Sequence, residues 1–382
     1  MPVRVLPDLV LDAARTLIRV PSVNPALAPG EGLGEQAVAD AAVQWLMRHG
    51  VRAWLDTLAP GRANAVASIG DGPGPTLVFC AHLDTVGTAG MTIPPFDPRV
   101  EDGRLYGRGS CDMKGSAGAI MATAVALQER HPRGRVLLAL VADEEDASLG
   151  AHDFVQRYAA DACIVTEPSN GTLVLGHKGF VWAEVVTTGV AAHGSRFDVG
   201  ECAIAKMAPI IAGIDAFDRK VLRRRVHPLV GPASMHCGLV SGGIGLSTYA
   251  PECRLQVERR TIPGETPALV IEELRDIVEG CGAEARVELR LDRPPLLCDR
   301  DAPIAHAVRD AAEARTGAVP EETGVAYWMD AAVFAAAGIQ TVNFGPAGDG
   351  AHAAVEWVDV ESLSTLADVL ADAAHRFLDC PA

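Results

Sequence analysis

Three apolar runs mark this chain, and each ends in a residue capable of chemistry. Segments 77–81 (LVFCA), 136–142 (VLLALVA) and 162–166 (ACIVT) are almost continuously apolar. Strands covered on both faces read this way, whereas strands with one wet face alternate. Between the first two runs lies 114–130, an Ala-rich stretch that predicts a helix opened by the loop GRGSCDMKG. Such alternation predicts an α/β fold with a mixed, mostly parallel sheet flanked by helices. The pattern returns late, with helices expected over 302–315 and 331–337 and a strand over 341–344. At the other end, Asp8 is placed to cap an amphipathic helix over 9–20, and Pro21 stops it.

The middle of the chain differs. Segments 181–187, 238–240, 253–260 and 285–291 alternate like half-exposed strands. Helical stretches over 200–217 and 267–279 interleave with them. The order strand, helix, strand, strand, helix, strand predicts a small α+β sandwich. An inserted domain is therefore expected at 182–293, with 1–181 and 294–382 forming one discontinuous domain. The length of 382 residues agrees, since one core usually stops growing at ~250–300 residues.

Charge and composition narrow the partners. The net charge of −16 argues against nucleic acid and anionic membranes. The one basic cluster, Arg219, Lys220 and Arg223 to Arg225, reads as a solvated helix end. No stretch reaches the ~18 uncharged apolar residues of a membrane span, and acids interrupt the N-terminal segment where a signal peptide would be apolar. Nine cysteines, Cys380 among them, are scattered without a C-x-x-C pair, which points to reduced thiols in a cytoplasm.

The polar residues that follow the apolar runs are of metal-ligand type. The first run is followed by His82 and Asp84, the second by Asp143, Glu144, Glu145 and Asp146, the third by Glu167. In open α/β sheets, sites form beyond the carboxyl ends of the strands. Partly buried, unpaired carboxylates either take up protons or share a cation. An imidazole beside hard carboxylates suits zinc, cobalt or manganese. In an extended strand His82 and Asp84 share one face, so Asp84 can hold the far ring nitrogen of His82. Adjacent Glu144 and Glu145 cannot both reach one atom, so one can bind metal while the other serves as base. Other readings stand beside these. Asp112 could cap the helix that follows it, Glu167 before Pro168 could start a turn, and Asp143 and Asp146 read as a solvated strand end. His131, His152, His177, His227 and His236 read as structural or surface residues.

Taken together, the segments AHLDTV, GRGSCDMKGSAGA, ADEE, TEP, GVAAHGS, VERRTIPGE and GDGAHAAVEWV resemble the zinc-dependent amidohydrolase and exopeptidase family. That family holds acetylornithine deacetylase, succinyl-diaminopimelate desuccinylase, aminoacylase and glutamate carboxypeptidase. The resemblance runs from His82 to Trp357 and implies a two-metal site. His82 and Glu167 would bind one ion, Glu145 and His352 the other, and Asp112 would bridge them, most naturally as Zn2+, with Co2+ or Mn2+ accepted. Glu144 would be the general base and Asp84 the orienter of His82. The resemblance also implies a cis peptide bond between Asp112 and Met113. His193 would stabilise the oxyanion, usually from the partner subunit of a homodimer formed through the inserted lid domain. Arg260, in the R-x-x-P-G segment, would hold a substrate carboxylate, although an ion pair with Glu258 on the same strand face is its rival. Ser247 stands where relatives often carry Asn, and HAAVE replaces the more usual acid before Glu356.

The implied reaction is hydrolysis of the amide bond of an N-acyl amino acid by an activated water, with a dipeptidase or carboxypeptidase as the alternative. A non-catalytic binding homologue is the reading from another class, and retention of Glu144 argues against it. No G-x-S-x-G is present to support a serine hydrolase. Neither G-x-G-x-x-G nor a phosphate loop is present to support nucleotide binding.

Overall fold

The computed structural model of the chain describes residues 4–130 and 133–379. Of the positions singled out above, His131 and Cys380 lie outside them. The chain folds into two compact units, the first built from residues up to Leu175, Cys298–Thr323 and Met329 onward, the second from Gly176–Leu297 and Gly324–Trp328. The second unit is wider than the expected 182–293. Its first long strand begins before the alternating pattern becomes visible, and a short return segment joins it from far along the chain.

In chain order the first unit lays down β1 (Arg52–Ala59), β2 (Arg62–Ile69), β3 (Thr76–His82), β4 (Arg135–Val141) and β5 (Ala162–Val165), and β6 (Leu173–His177) begins in it and ends in the second unit. The second unit follows with β7 (Gly179–Thr188), β8 (Ser234–Gly242), β9 (Glu252–Thr261) and β10 (Ala285–Arg293), and the chain returns to the first sheet with β11 (Gln340–Asn343). The large sheet runs β1-β2-β4-β3-β5-β11-β6. Its four central strands, β4, β3, β5 and β11, are parallel. Antiparallel strands flank them on both sides. The three apolar runs of the sequence are three of the central strands, β3, β4 and β5, with bounds within about a residue of those expected. Helices α3 (Lys114–Gln128) and α7 (Val360–Leu378) pack on β3, and α4 (Leu149–Arg157) packs on β4. This two-sided cover is why β3 and β4 carry no polar alternation.

Helix α1 (Pro7–Ile18) starts earlier than its apolar stripe suggested. Pro7 occupies the first turn, where its missing N–H is harmless. Leu6 takes the capping position, and Asp8 lies inside the first turn rather than capping it. There its charge favours the helix N-terminus through the dipole. Helix α3 is buried on nearly every side. A Cβ on its Gly118 would lie 2.4 Å from the backbone nitrogen of Ala14, so α1 and α3 touch backbone to backbone.

The second unit is a four-stranded antiparallel sheet, β8-β9-β7-β10, with helices α5 (Ala203–Lys220) and α6 (Pro267–Gly280). Every second residue of β7 and β9 faces the core: Val181, Ala183 and Val185, and Leu255 and Val257. Met207, Ile210 and Ile214 of α5 and Val270 and Leu274 of α6 fill the other side. Three residues of the basic cluster are paired with acids of the same unit. Arg219 pairs with Asp215, Arg223 with Asp218, and Arg225 with both Glu265 and Glu273. Among the described residues no helix is long and apolar enough to cross a membrane, and the eight described cysteines are unpaired.

Candidate metal centre

The parallel direction of β3, β4 and β5 brings their carboxyl ends to one edge of the sheet. His82 is the last residue of β3, Glu144 and Glu145 follow β4, and Glu167 follows β5. Between β3 and β4 the chain makes the loop that carries Asp112, and the Asp112–Met113 peptide bond is cis, as the resemblance implies. His352 arrives from far along the chain. It sits between two short strands, Gly348–Asp349 and Trp357–Asp359, of a small antiparallel sheet that includes Arg104–Tyr106.

These residues meet around Asp112. Its two carboxylate oxygens face different imidazoles: Oδ1 lies 2.9 Å from Nε2 of His82, and Oδ2 lies 3.2 Å from Nε2 of His352. Beyond His82, Glu167 Oε1 is 3.6 Å from the same nitrogen. Beyond His352, Glu145 Oε2 is 3.1 Å away. Ligand atoms of His82, Asp112 and Glu145 lie within 4.8 Å of one another, and so do those of His82, Glu144 and Glu167. One carboxylate between two imidazole–carboxylate pairs is the donor set that a pair of hard-to-borderline divalent ions requires. Three carboxylates and two neutral imidazoles also come close to balancing two such ions.

The electrostatics point the same way. Burial and then the charge of Glu167 push Glu144 well above the ordinary carboxylate range. Burial and then Asp112 do the same to Glu167. Burial opposes ionisation of Asp112, but hydrogen bonds from His352 and His82 outweigh it and hold its carboxyl low. Asp112 and then Glu145 push His352 up to about 10. Carboxylates crowded this closely favour any added positive charge, and the residues fit divalent ions that bring it.

The surroundings fix these side chains. Nδ1 of His82 donates to the main-chain oxygen of Asp84 at 3.0 Å, which leaves Nε2 free to face Asp112. The Asp84 carboxylate is farther, 3.5 Å from that ring nitrogen. Its oxygens are engaged by the amides of Glu144 and Glu145, each at 3.1 Å. The orienting contact to His82 is thus mainly the Asp84 backbone, and the side chain holds the loop after β4. Strand geometry alone could not separate these two, because both groups lie on the same side of His82.

Asp143 departs from the solvated strand end expected for it. It is 1% exposed, adopts a φ of 74°, and accepts hydrogen bonds from Asn24 and Arg62. The reason is the β-hairpin over β1 and β2 and the segment after α1, which close over the turn. Glu356 is buried without touching the two imidazoles. It accepts from Arg108 and from the amides of Gly109, Cys111 and Asp112, so it shapes the loop that presents Asp112. Asn24, Arg62 and Glu35 escaped the sequence reading altogether; only the polar interruption of an otherwise apolar strand at Arg62 and Asn64 hinted at them.

Two of the expected residues belong to the second unit. His193 is exposed in the loop after β7, and its Nδ1 lies 2.9 Å from the hydroxyl of Ser195. Arg260 lies on β9, pairs with Glu258 and stacks over Phe180 at 5.1 Å. The rival ion pair foreseen for it is present.

A parallel sheet edge that gathers two imidazoles, three carboxylates and one further glutamate defines a centre of the metallohydrolase class. Residues 78–376 match Peptidase family M20/M25/M40, and the chain belongs to that family; it is an enzyme that hydrolyses amide bonds. Among curated relatives, succinyl-diaminopimelate desuccinylase of Marinobacter nauticus is 28% identical over 312 residues, covering 78% of this chain and 82% of that protein. Acetylornithine deacetylase of Vibrio vulnificus is 26% identical over 383 residues, covering 96% and 98%. Among solved structures, the Bacillus subtilis YXEP protein, described as a dinuclear metal binding peptidase of the M20 family, shares the fold. Its TM-score is 0.73 at 18% identity, with 98% of each chain covered.

Proposed function

We propose that the protein removes the acyl group from an N-acyl amino acid by metal-dependent hydrolysis, with Glu144 as general base. The observation that carries this reading is Asp112 between two imidazoles, with Glu144 beside His82 and Glu167 but outside the His352 pair. His82 and Glu167 would hold one ion, Glu145 and His352 a second, and Asp112 both. Zinc suits these donors, and cobalt or manganese would be accepted. Bound there, the ions supply Lewis acidity and make a water nucleophilic near neutral pH.

Glu144 takes a proton from the attacking water and delivers it to the leaving amine. Burial raises its proton affinity, which suits a group that takes a proton from water. The amide of Glu144 is held by Asp84, which limits the positions its carboxylate reaches. His193 donates to the developing oxyanion and Arg260 receives the substrate carboxylate, for which its guanidinium fork is suited. A homodimer through the second unit fits the same reading. Strand β8 ends that unit's sheet, and its Leu239 and Val240 are exposed. Unpaired thiols suit a reducing cytoplasm.

Deacylation is preferred over peptide cleavage because both relatives named above, at 26–28% identity, are deacylases. The test is a panel of N-acetyl amino acids, N-succinyl amino acids and dipeptides, assayed with zinc-, cobalt- and manganese-reconstituted enzyme. Release of free amino acid from an N-acyl substrate is expected. Cleavage of dipeptides with none of the N-acyl compounds turned over would overturn the choice of substrate.

A further inference from the structure

Behind the centre runs a buried chain of polar side chains that the proposed chemistry leaves unassigned. The segment Ser22 to Asn24 lies alongside Leu83 to Thr85. Ser22 Oγ donates to the Leu83 carbonyl at 2.6 Å, and the amide of Asn24 donates to the Thr85 carbonyl at 2.8 Å. The side-chain oxygen of Asn24 is occupied by the amide of Ala26 at 3.0 Å, which decides the orientation of the group. Its NH2 therefore faces two carboxylates, Asp84 Oδ2 at 2.9 Å and Asp143 Oδ1 at 3.0 Å. Arg62 donates to the same oxygen of Asp143 and grips Glu35 with two nitrogens, at 2.5 and 2.9 Å. Asn24, Asp84 and Glu35 are fully buried and Asp143 almost so.

The consequence falls on the loop after β4. Asp84 receives the amides of Glu144 and Glu145, and Asp143 receives the amide of Leu149 at 3.4 Å through Oδ2. Main-chain bonds from Ala147 and Ser148 to the Asp143 carbonyl close the turn. The Asn24 side chain donates to both acids, so it ties the start of this turn to the carboxylate that holds its next two amides. Without it, two buried carboxylates would face each other across a missing donor.

We propose that Asn24 and Arg62, backed by Glu35, are positioning residues that set where Glu144 and Glu145 stand. They act through Asp84 and Asp143 and touch neither substrate nor the reacting atoms. This rests on the functional reading above, in which Glu144 is the base and Glu145 a ligand.

The test uses full-length zinc-loaded protein and the variants Asn24→Ala, Arg62→Lys and Glu144→Gln. Two quantities are read: kcat and KM on the best N-acyl substrate, and zinc affinity by competition with a chromophoric chelator. Displaced outer partners of ligands typically weaken metal binding about 10–100-fold. Asn24→Ala is expected to lose at least about 10-fold in kcat with little change in KM, and to bind zinc about 10-fold more weakly. Arg62→Lys, which keeps the charge but not the fork, is expected to move both in the same direction by less. A packing role alone would lower the unfolding temperature and leave the kcat of zinc-loaded molecules untouched. Should Asn24→Ala not fold, Arg62→Lys carries the test. Folded variants with kcat and zinc affinity within about twofold of wild type would overturn the proposal. Glu144→Gln separates the two claims: if it retains turnover, the functional reading fails. If it is inactive while the Asn24 and Arg62 variants behave as wild type, only the positioning proposal fails.

Discussion

Replacing Glu356 by Gln isolates the contribution of a residue that shapes the loop presenting Asp112. The Glu356 side chain is fully buried. One oxygen accepts from Arg108 Nη1 at 2.7 Å and the Gly109 amide at 3.0 Å; the other accepts from the Cys111 and Asp112 amides at 2.9 and 3.0 Å. Burial pushes the carboxyl above its ordinary value, while the Asp112 and Gly109 amides pull it back. Four donors leave no acceptor for a carboxyl proton, so only the ionised form satisfies them all. In Gln, whichever way the amide is turned, one NH2 meets two donors. Two hydrogen bonds to a charged group are then lost at ~1.5–3 kcal/mol each, and Arg108 loses its buried counter-charge. The expected cost is about 3–5 kcal/mol, a large share of the ~5–15 kcal/mol that holds a domain folded. Urea unfolding of the metal-free protein, followed by far-ultraviolet circular dichroism, reads this directly. With a slope of ~3 kcal/mol per molar urea the midpoint falls by about 1 M or more. Zinc affinity measured separately should drop about 10-fold or more, because the Asp112 amide loses its anchor. An unfolding midpoint and a zinc affinity both indistinguishable from wild type would refute the reasoning.

Three further outcomes follow from the geometry. Glu144→Gln should retain both ions by elemental analysis and lose at least ~100-fold in kcat, the scale of general-base catalysis; near-normal turnover would remove Glu144 from that role. Dialysis against a strong chelator should abolish activity and lower the unfolding temperature, since ions at about 100 times their Kd contribute ~2.7 kcal/mol per site; a chelated protein of unchanged stability and activity would sink the metal assignment. Gly118→Val should destabilise the first unit by at least ~1–3 kcal/mol, because the new side chain meets the α1 backbone at Ala14; an unaltered melting curve would show that α1 yields there without cost.

Much of this was legible in the residues themselves. Phe79, Leu138 and Ile164 sit in runs that doubly covered strands explain, and Phe79 pairs with Leu138 on one side and Ile164 on the other. The second unit declared itself by the alternation of Val181, Ala183 and Val185 against Trp182 and Glu184. The hairpin β1–β2 and helices α2 (Gln36–Arg48) and α4 were not read from the sequence. Their apolar patterns are short or diluted by Ala, which is at home in a core and on a surface alike.

Local sequence determined which side chains stand at the ends of the central strands, because burial on both faces forces apolar runs and a run must end where chemistry begins. Tertiary structure alone decided which of them meet. Glu145 and His352 are 207 positions apart in sequence yet in contact at 3.1 Å, and Asp112 reaches both imidazoles only because strand order and loop closure place them. The same holds for Asp143 and Asn24: a carboxylate in sequence carries no mark of whether water or a buried amide will receive it. Period and composition are properties of neighbours along the chain, whereas a shared charge is a property of neighbours in space.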